Sequence, residues 1–326
     1  MYGYEILHDE IAENLIQNVR KGAAQHAYIF EGEAGVGSLE TARLFAAALV
    51  CEREETAPCT TCSSCIMAKA LTHPDIYFIK PQKDKKNITV DQIREVVNDA
   101  YTKPYESGKK VYVIAYGDNM NEQAQNAFLK VLEEPPQYAV FVILAENHET
   151  LLATIRSRCT EVRFNPVSDR KIREYIKRHF PEELDKLDFL VRYSGGVAGN
   201  AGKILEQENF LSLRSQSLDK LEDLLAEDLL SAYTVADFLE ENKDDADLIL
   251  KFWQEFLRDI MLITNEAQNI AANSDFIDRL INMSNRFSEK KIMLAQEQII
   301  LAQKMRKRYV SLHTLTLRLA FTIKKK

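Results

Sequence analysis

The first half of the chain alternates short apolar segments with longer amphipathic ones. Between the apolar segments, hydrophobic residues recur every three or four positions, the spacing of one face of an α-helix. The segment Val111–Ala115 is apolar throughout, as expected of a parallel strand covered on both faces. Strands that alternate with helices predict a parallel sheet with helices on both sides. The predicted strands are 26–31, 75–80, 111–115, 140–145 and 161–164.

Beyond Pro166 the strand pattern disappears, and amphipathic helical segments follow one another to the end of the sequence. A first helical unit contains a glycine cluster at 195–202, and longer amphipathic helices follow from about residue 208. A chain of 326 residues is expected to hold two or three domains, because single cores rarely grow beyond about 250 residues. We predict domains at 1–165, 166–207 and 208–326.

Immediately after the first strand the chain has the sequence Gly-Glu-Ala-Gly-Val-Gly-Ser-Leu. The pattern of a phosphate-binding loop is G-x-x-x-x-G-K-[ST]. Gly32, Gly35 and Gly37 keep the glycine frame, but Ser38 replaces the lysine and Leu39 replaces the hydroxyl residue. The lysine contacts the β- and γ-phosphates and the hydroxyl helps to hold Mg²⁺. The loop therefore has the form of a nucleotide-binding loop without its working side chains, and no bound ATP is expected.

The acidic motif of such enzymes is also missing. In P-loop enzymes a strand ends at an acidic residue that helps to hold Mg²⁺, often followed by a glutamate. Here Ala115 and Tyr116 occupy those two places. Asp118 lies two residues further on, where a loop or helix-capping role is favoured over a catalytic one. The joint loss of the lysine, the hydroxyl and both acids argues against intrinsic ATP hydrolysis.

Four of the five cysteines fall within fifteen residues, with the spacing C-x₇-C-x₂-C-x₂-C. In a reducing compartment such a cluster favours a metal site over a disulfide framework. Four thiolates suit tetrahedral Zn²⁺ in a closed, structural site. Four unligated thiols are the alternative, and an iron–sulfur cluster is less favoured because nothing else in the chain suggests redox chemistry. The candidate ligands are Cys51, Cys59, Cys62 and Cys65.

Composition narrows the class of protein. The hydrophobic content of 46% and the charged content of 28% are those of an ordinary soluble protein. The first residues lack a signal-peptide pattern, and the longest apolar runs, of about eight residues, are far short of the ~20 that span a bilayer. These features predict a cytoplasmic protein without a membrane partner. The net charge of −7 disfavours nucleic-acid binding by the surface as a whole.

Two segments carry a resemblance to a known family, the bacterial clamp-loader subunits of the AAA+ class. Asn121–Pro136 resembles a helix of those subunits, and Leu151–Cys159 ends in the family's Ser-Arg-Cys motif. The cysteine insertion that follows the P-loop helix and the sequence His73-Pro74-Asp75 extend the match. The resemblance covers the first ~165 residues densely and the rest only in outline. It is closest to the member of the family whose P-loop is degenerate.

The resemblance implies an α/β P-loop NTPase-like (AAA+) domain with a parallel sheet, a small helical lid and an all-α collar that joins five subunits. It implies a zinc-binding insertion at about 51–73. The implied partners are the ATP-hydrolysing gamma/tau subunits and the delta subunit, and indirectly the sliding clamp and primed DNA. The implied function is that of a non-hydrolysing clamp-loader subunit. An active gamma-type ATPase is the alternative, and a zinc-containing DNA-binding module is a third possibility.

Two arginine positions carry the resemblance into the site. In the motif Ser157-Arg158-Cys159, Arg158 is expected to act as an arginine finger in trans, on a nucleotide held by a neighbouring subunit. The competing interpretation is a helix-end arginine paired with an acidic neighbour; Arg156 lies outside the motif. The family's lid often carries a nucleotide-sensing arginine in a Gly-x-x-Gly-Arg context, but Asn200 occupies that place here.

Overall fold

The computed structural model describes residues 2–82, 87–206, 209–226, 228, 230–306 and 312–324. The chain separates into two compact units. One comprises Met1–Ile172 with Gly196–Gly199, and the other comprises Arg173–Gly195 with Asn200–Lys326. The division into three domains stays a prediction, and its second boundary, at 207–208, lies outside the described residues.

The first unit is built on a five-stranded parallel sheet with the strand order β2-β3-β4-β1-β5. The strands β1 and β4 lie inside the sheet, with Ile29 opposite Ile143. Every residue of β4 is buried, as the continuous apolar run predicts. The strands are β1 (Ala27–Glu31), β2 (Ile76–Ile79), β3 (Lys110–Ile114), β4 (Ala139–Ala145) and β5 (Thr160–Arg163).

Helices cover both faces of this sheet. Because successive strand side chains point to opposite faces, Tyr28 and Phe30 pack with α2 on one side, while Ile29 packs with α4 and α5 on the other. The predicted α/β P-loop fold with a parallel sheet is thus confirmed. The helices of this unit are α1 (Asp9–Arg20), α2 (Ser38–Leu49), α3 (Ser63–Lys69), α4 (Val90–Ala100), α5 (Glu122–Glu133) and α6 (Ala153–Arg156).

Local sequence signals fix the ends of two of these helices. Thr89 forms a capping box with Gln92 at the start of α4: the side chain of each residue accepts a hydrogen bond from the backbone N–H of the other. The side chain of Asn121 accepts a hydrogen bond from the backbone N–H of Ala124 and caps α5. The helix α5 ends at Glu133, one residue before the Glu134-Pro135-Pro136 sequence that cannot continue it.

Every regular element described after Pro166 is helical. In the second unit, Trp253 is fully buried and its indole N–H donates to the carbonyl oxygen of Ser217 at 2.7 Å. The α-helices are α7 (Asp169–His179), α8 (Leu187–Ser194), α9 (Ala198–Glu206), α10 (Phe210–Leu225), α11 (Ser231–Glu241), α12 (Ala246–Thr264), α13 (Ile277–Arg286), α14 (Glu289–Arg306) and α15 (Leu312–Lys324).

A buried arginine joins several helices of the second unit. The guanidinium carbon of Arg214, on α10, lies 4.4 Å from the ring centre of Phe189 on α8 and 4.6 Å from that of Phe276. Its Nη1 pairs with the carboxylate of Asp275 at 2.6 Å, and Nη2 donates to the side-chain oxygen of Asn273. Helix α8 therefore shares one core with α10 and the segment 273–276.

Candidate functional site: a degenerate P-loop, an exposed arginine and a cysteine cluster

The glycine loop joins the end of β1 to the start of α2, as a P-loop does. Gly35 and Gly37 have φ values of +92° and +109°, a left-handed conformation that favours glycine. Ser38, in place of the lysine, is the first residue of α2 and is buried. The backbone of a phosphate-binding loop is thus retained, while the side chains that act on phosphate are absent.

The backbone of Gly199 and the side chain of His8, both in the same unit, contact this loop. The N–H of Gly199 donates to the carbonyl oxygen of Gly35 at 3.0 Å. A Cβ placed on Gly35 would lie only 2.7 Å from the Cα of Gly199. On the other side, a ring nitrogen of His8 is 2.9 Å from the carbonyl oxygen of Val36. Other parts of the same unit therefore occupy space around the loop.

The pocket that remains beside the loop has a volume of about 120 Å³. Its lining is mostly apolar, with Tyr116, Asp118 and Glu146 as larger polar members. Ligand pockets are typically about 300–1,000 Å³, so the cavity is small for a nucleotide. The apolar lining comes from Gly32, Ala34, Gly35, Leu39, Ala115, Leu144 and Ala145.

Asp118 anchors a loop. Its carboxylate accepts hydrogen bonds from the backbone N–H groups of Glu146 at 2.7 Å and Asn147 at 3.0 Å, and from the hydroxyl of Thr150 at 3.1 Å. This arrangement agrees with the loop role that the sequence favours. Tyr116, at the place of the second missing acid, is half-exposed and has a left-handed backbone conformation.

Arg158 lies just beyond α6 with about a third of its side chain exposed. Its Nη2 is 2.8 Å from the Glu133 carboxylate, and Nη1 donates to the carbonyl oxygen of Thr154 at 2.8 Å. Ser157 also accepts from Nη1, at 3.4 Å. Burial raises the pKa of the Cys159 thiol to about 12. The motif thus places one guanidinium at the surface, beside an acidic neighbour.

Sequence reasoning gave no role to Gln125, which is buried on α5. Its side-chain amide donates to the carbonyl oxygens of Met120 and Thr150, and its oxygen accepts from the N–H of Leu152 at 2.7 Å. Leu152 immediately precedes α6, so Gln125 fixes the segment that leads to Arg158. The only sequence signal was a glutamine next to the apolar face of α5.

The four cysteine sulfurs lie within 4.8 Å of one another. Four sulfurs held about 2.3 Å from one tetrahedral Zn²⁺ would be about 3.8 Å apart, so the group needs little adjustment to hold the ion. Among the residues described, no other set of three or more histidine, cysteine or acidic side chains is close enough to hold a metal. The candidate ligands are Cys51 after α2, Cys59 in the following loop, Cys62 capping α3 and Cys65 within it.

Backbone N–H groups point at these sulfurs. The N–H groups of Cys59, Cys62 and Cys65 donate to the preceding cysteine sulfur at 3.3–3.4 Å. Hydrogen bonds from the backbone, that of Thr61 foremost, lower the pKa of Cys59 to about 6, whereas burial raises the pKa values of Cys51 and Cys65. A divalent cation is the partner that would let the two buried thiols ionise.

None of the described helices is both long and apolar enough to cross a membrane.

Residues 7–168 match the family model described as DNA polymerase III, delta subunit. The chain is 33% identical over 200 residues to the DNA polymerase III subunit delta' of Bacillus subtilis (strain 168), a match that covers 61% of this chain and 59% of the relative. The delta' subunit of Yersinia pestis is 30% identical over 264 residues, covering 78% of this chain and 75% of that one.

Two further similarities are to gamma-type proteins. The DNA polymerase III subunit gamma of Buchnera aphidicola subsp. Schizaphis graminum (strain Sg) is 28% identical over 288 residues, covering 83% of this chain and 78% of the relative. A crystal structure of a DNA polymerase III gamma subunit-related protein from Thermotoga maritima aligns with a TM-score of 0.40 and 19% identity, covering 96% of this chain and 98% of that one.

Proposed function

The chain belongs to the DNA polymerase III delta-prime family of clamp-loader subunits, and on that premise we propose that it is a non-hydrolysing subunit of a bacterial replicative clamp loader. The observation that supports this proposal is a P-loop that retains its backbone conformation but lacks the side chains that contact phosphate and magnesium. Ser38 and Leu39 replace the residues that act on phosphate and magnesium, and Gly199 packs against Gly35. Binding and hydrolysis of ATP then belong to other subunits.

The alternative, an ATP-hydrolysing gamma-type subunit, has similarity to gamma relatives in its favour. The same four losses count against it, because a P-loop enzyme needs a lysine for the phosphates and oxygen ligands for Mg²⁺. Neither Ala115 nor Tyr116 can supply a carboxylate. The acidic net charge of −7 likewise disfavours the third possibility, a DNA-binding module.

The chemistry that this subunit contributes is the guanidinium of Arg158. An arginine supplied in trans stabilises the negative charge that develops on a transferring phosphoryl group, an effect of about 10³–10⁵ in rate. Arg158 has a partly exposed side chain on the surface of the first unit, so a neighbouring chain can reach it. A subunit that binds no nucleotide itself can therefore still control ATP hydrolysis in the neighbouring subunit.

The proposed partners are gamma/tau-type ATPase subunits and the delta subunit. Through them the protein would act on the sliding clamp at primed DNA, as a component of the polymerase III holoenzyme whose polymerase activity resides in other subunits. The helices from 208 onward would form the collar that joins the subunits, and residues 166–207 the lid.

The cysteine cluster is proposed to hold one structural Zn²⁺. Cys51, Cys59, Cys62 and Cys65 would supply four thiolates, and no ligand position would remain for a reactive water. When bound, the ion supplies cross-linking of the loop to α3 and no reaction chemistry. This role fits sulfurs that already receive backbone hydrogen bonds.

The finger assignment is tested in a complex assembled from this chain with gamma-type and delta subunits. Arg158→Ala should slow single-turnover ATP hydrolysis at the adjoining site by about 10³ without dissociating the complex. Arg156→Ala is the matched control, because Arg156 ends the same short helix but lies outside the motif. A complex that assembles and hydrolyses ATP equally fast with Arg158→Ala would refute the assignment.

A further inference from the structure

Arg158 meets its acidic neighbour at the end of a different helix. Glu133 is the last residue of α5, and its Oε1 lies 2.8 Å from Arg158 Nη2. About half of the Glu133 side chain is exposed, so the pair is reachable from solvent. Isolated exposed ion pairs contribute little to the stability of a fold, so stability alone does not account for the pairing of Arg158 with Glu133.

The hydrogen bonds of Arg158 use one part of the guanidinium and leave another part open. An arginine has five N–H donors in a rigid planar fork. Nη1 donates to Thr154 and Ser157, and Nη2 donates once, to Glu133. Within the described part of the chain, Nε–H and the second Nη2 hydrogen have no partner. Nε–H and one Nη2 hydrogen therefore remain as donors that phosphate oxygens can accept from.

This geometry distinguishes two effects that a carboxylate can have on an arginine. A sequestering carboxylate would take up the edge that phosphate needs and would have to be displaced. A positioning carboxylate would hold the side chain in one conformation and leave donors free for the phosphate. Glu133 contacts one nitrogen only, and Nε–H and one Nη2 hydrogen have no partner among the described residues, which fits the second pattern. A long side chain that is ordered before its target arrives loses less conformational freedom on binding.

We propose that Glu133 is the positioning residue for Arg158: its carboxylate holds the guanidinium by one nitrogen, so that Nε–H and the remaining Nη2 hydrogen stay available to a phosphate of the neighbouring subunit. This inference rests on the proposed finger role of Arg158. It assigns to the end of α5 the function of orienting a group that acts on another chain. Glu133 itself does not touch the nucleotide.

The next residue provides a matched control. Glu134 has the same side chain, is exposed, and caps the same helix. Its carboxylate has no hydrogen bond or ion pair with any of the residues described. A change in net charge or in helix-end chemistry would affect both positions, whereas positioning of Arg158 involves Glu133 alone.

The test uses the complex assembled with gamma-type and delta subunits, and single-turnover ATP hydrolysis at the adjoining site. Glu133→Ala should lower the rate of hydrolysis about tenfold with an unchanged KM for ATP, because the neighbour holds the nucleotide. Glu133→Gln should keep most of the rate, since its amide oxygen can accept the same hydrogen bond. Glu134→Ala should match the wild type.

A double substitution distinguishes positioning from a general structural effect. In an Arg158→Ala background, Glu133→Ala should cause no further loss, because the residue acts only through the arginine. An unchanged or faster rate with Glu133→Ala, or an additional loss in the Arg158→Ala background, would overturn the inference. If Arg158→Ala itself has no effect, the finger role fails instead, so the two failures are distinguishable.

Discussion

The N–H of Gly199 and the carbonyl oxygen of Gly35 form a 3.0 Å hydrogen bond that brings the backbones of the two glycines into contact. Neither position tolerates a Cβ, since an atom added to either would lie 2.7 Å from the Cα of the other. The degenerate P-loop is therefore part of a packed interface within its own unit. This backbone contact, together with the missing side chains, supports the proposed lack of nucleotide binding.

Restoring the two lost P-loop side chains should not restore nucleotide binding. We expect the double variant Ser38→Lys/Leu39→Thr to show no ATP binding up to about 1 mM, the upper range of ordinary substrate affinities. The acids missing at Ala115 and Tyr116 and the contact of Gly199 with the loop remain unchanged. Isothermal titration calorimetry with MgATP on the isolated chain measures this, with an intact gamma-type subunit as the positive control. Micromolar binding would contradict the expectation.

Gly35→Ala should destabilise the first unit more than Gly22→Ala does. Both glycines have positive φ values, so an alanine at either is expected to cost about 1–2 kcal/mol in backbone strain. Only Gly35 also lacks space for a Cβ, which adds about 1–3 kcal/mol of overpacking. Urea unfolding measures the decrease in the free energy of unfolding for each variant. Equal decreases would show that Gly199 moves aside for the added Cβ at no cost.

Much of the α/β unit can be predicted from local sequence patterns. The predicted strands agree with the observed ones to within a residue or so, and the Thr89 and Asn121 caps depend only on residues three positions away. In contrast, helix α1 was not predicted, although Ile11, Leu15 and Val19 have helical spacing and its first turn is acidic. The predicted lid and collar are harder to derive from the sequence, because helical periodicity predicts each helix but not which helices pack against each other.

The pairwise contacts of the candidate site could not be predicted in the same way. Sequence spacing allowed an acidic partner for Arg158, but nothing local singles out Glu133 rather than Glu134. The contact between Gly35 and Gly199 joins two segments far apart in the chain. The sequence of each glycine-rich loop does not show that the two loops pack against each other. The cysteine cluster was the exception, because its four members lie within fifteen residues.

Zinc content should depend on the cysteine cluster alone. Cys62→Ser is expected to lower bound zinc from about one ion per chain to a small fraction, and chelation should lower the melting temperature of the wild type. Plasma emission spectrometry on dialysed protein measures the metal. Cys159→Ser is the control, because that thiol belongs to no described cluster and should leave the zinc content unchanged.

Zinc affinity should also fall as the pH is lowered. Binding requires four thiolates, and burial raises the pKa values of Cys51 and Cys65, so protons compete with the ion at those sulfurs. Competition with a chromophoric chelator at several pH values measures this release of protons. A pH-independent affinity would mean that the thiols do not ionise on binding.

His8 should make the stability of the first unit depend on pH near neutrality. Burial lowers the pKa of its imidazole, although the hydrogen bond with the Val36 carbonyl acts the other way. A lowered pKa in the folded state means that folding favours neutral His8. Its contribution is fully present above about pH 6.5, the unfolded value, and is lost as the pH falls toward the folded pKa.

His8→Gln tests this, because its side-chain amide can still donate to Val36 but does not titrate. The free energy of unfolding should decrease less between pH 7 and pH 5 in this variant than in the wild type. Some pH dependence should remain, since burial also lowers the pKa of His73. Identical curves for the two proteins would show that His8 has no such role.

The stacking of Phe189 and Phe276 against the guanidinium of Arg214 bears on how this chain can be divided. A fragment that stops at residue 207, where the predicted lid ends, would keep Phe189 and Tyr193 but lose the Arg214 cation that stacks on both rings. Such a fragment would expose aromatic surface and tend to aggregate. Helix α8 would therefore fold and unfold together with α10 and the segment 273–276, so the predicted lid would not be an independently stable domain.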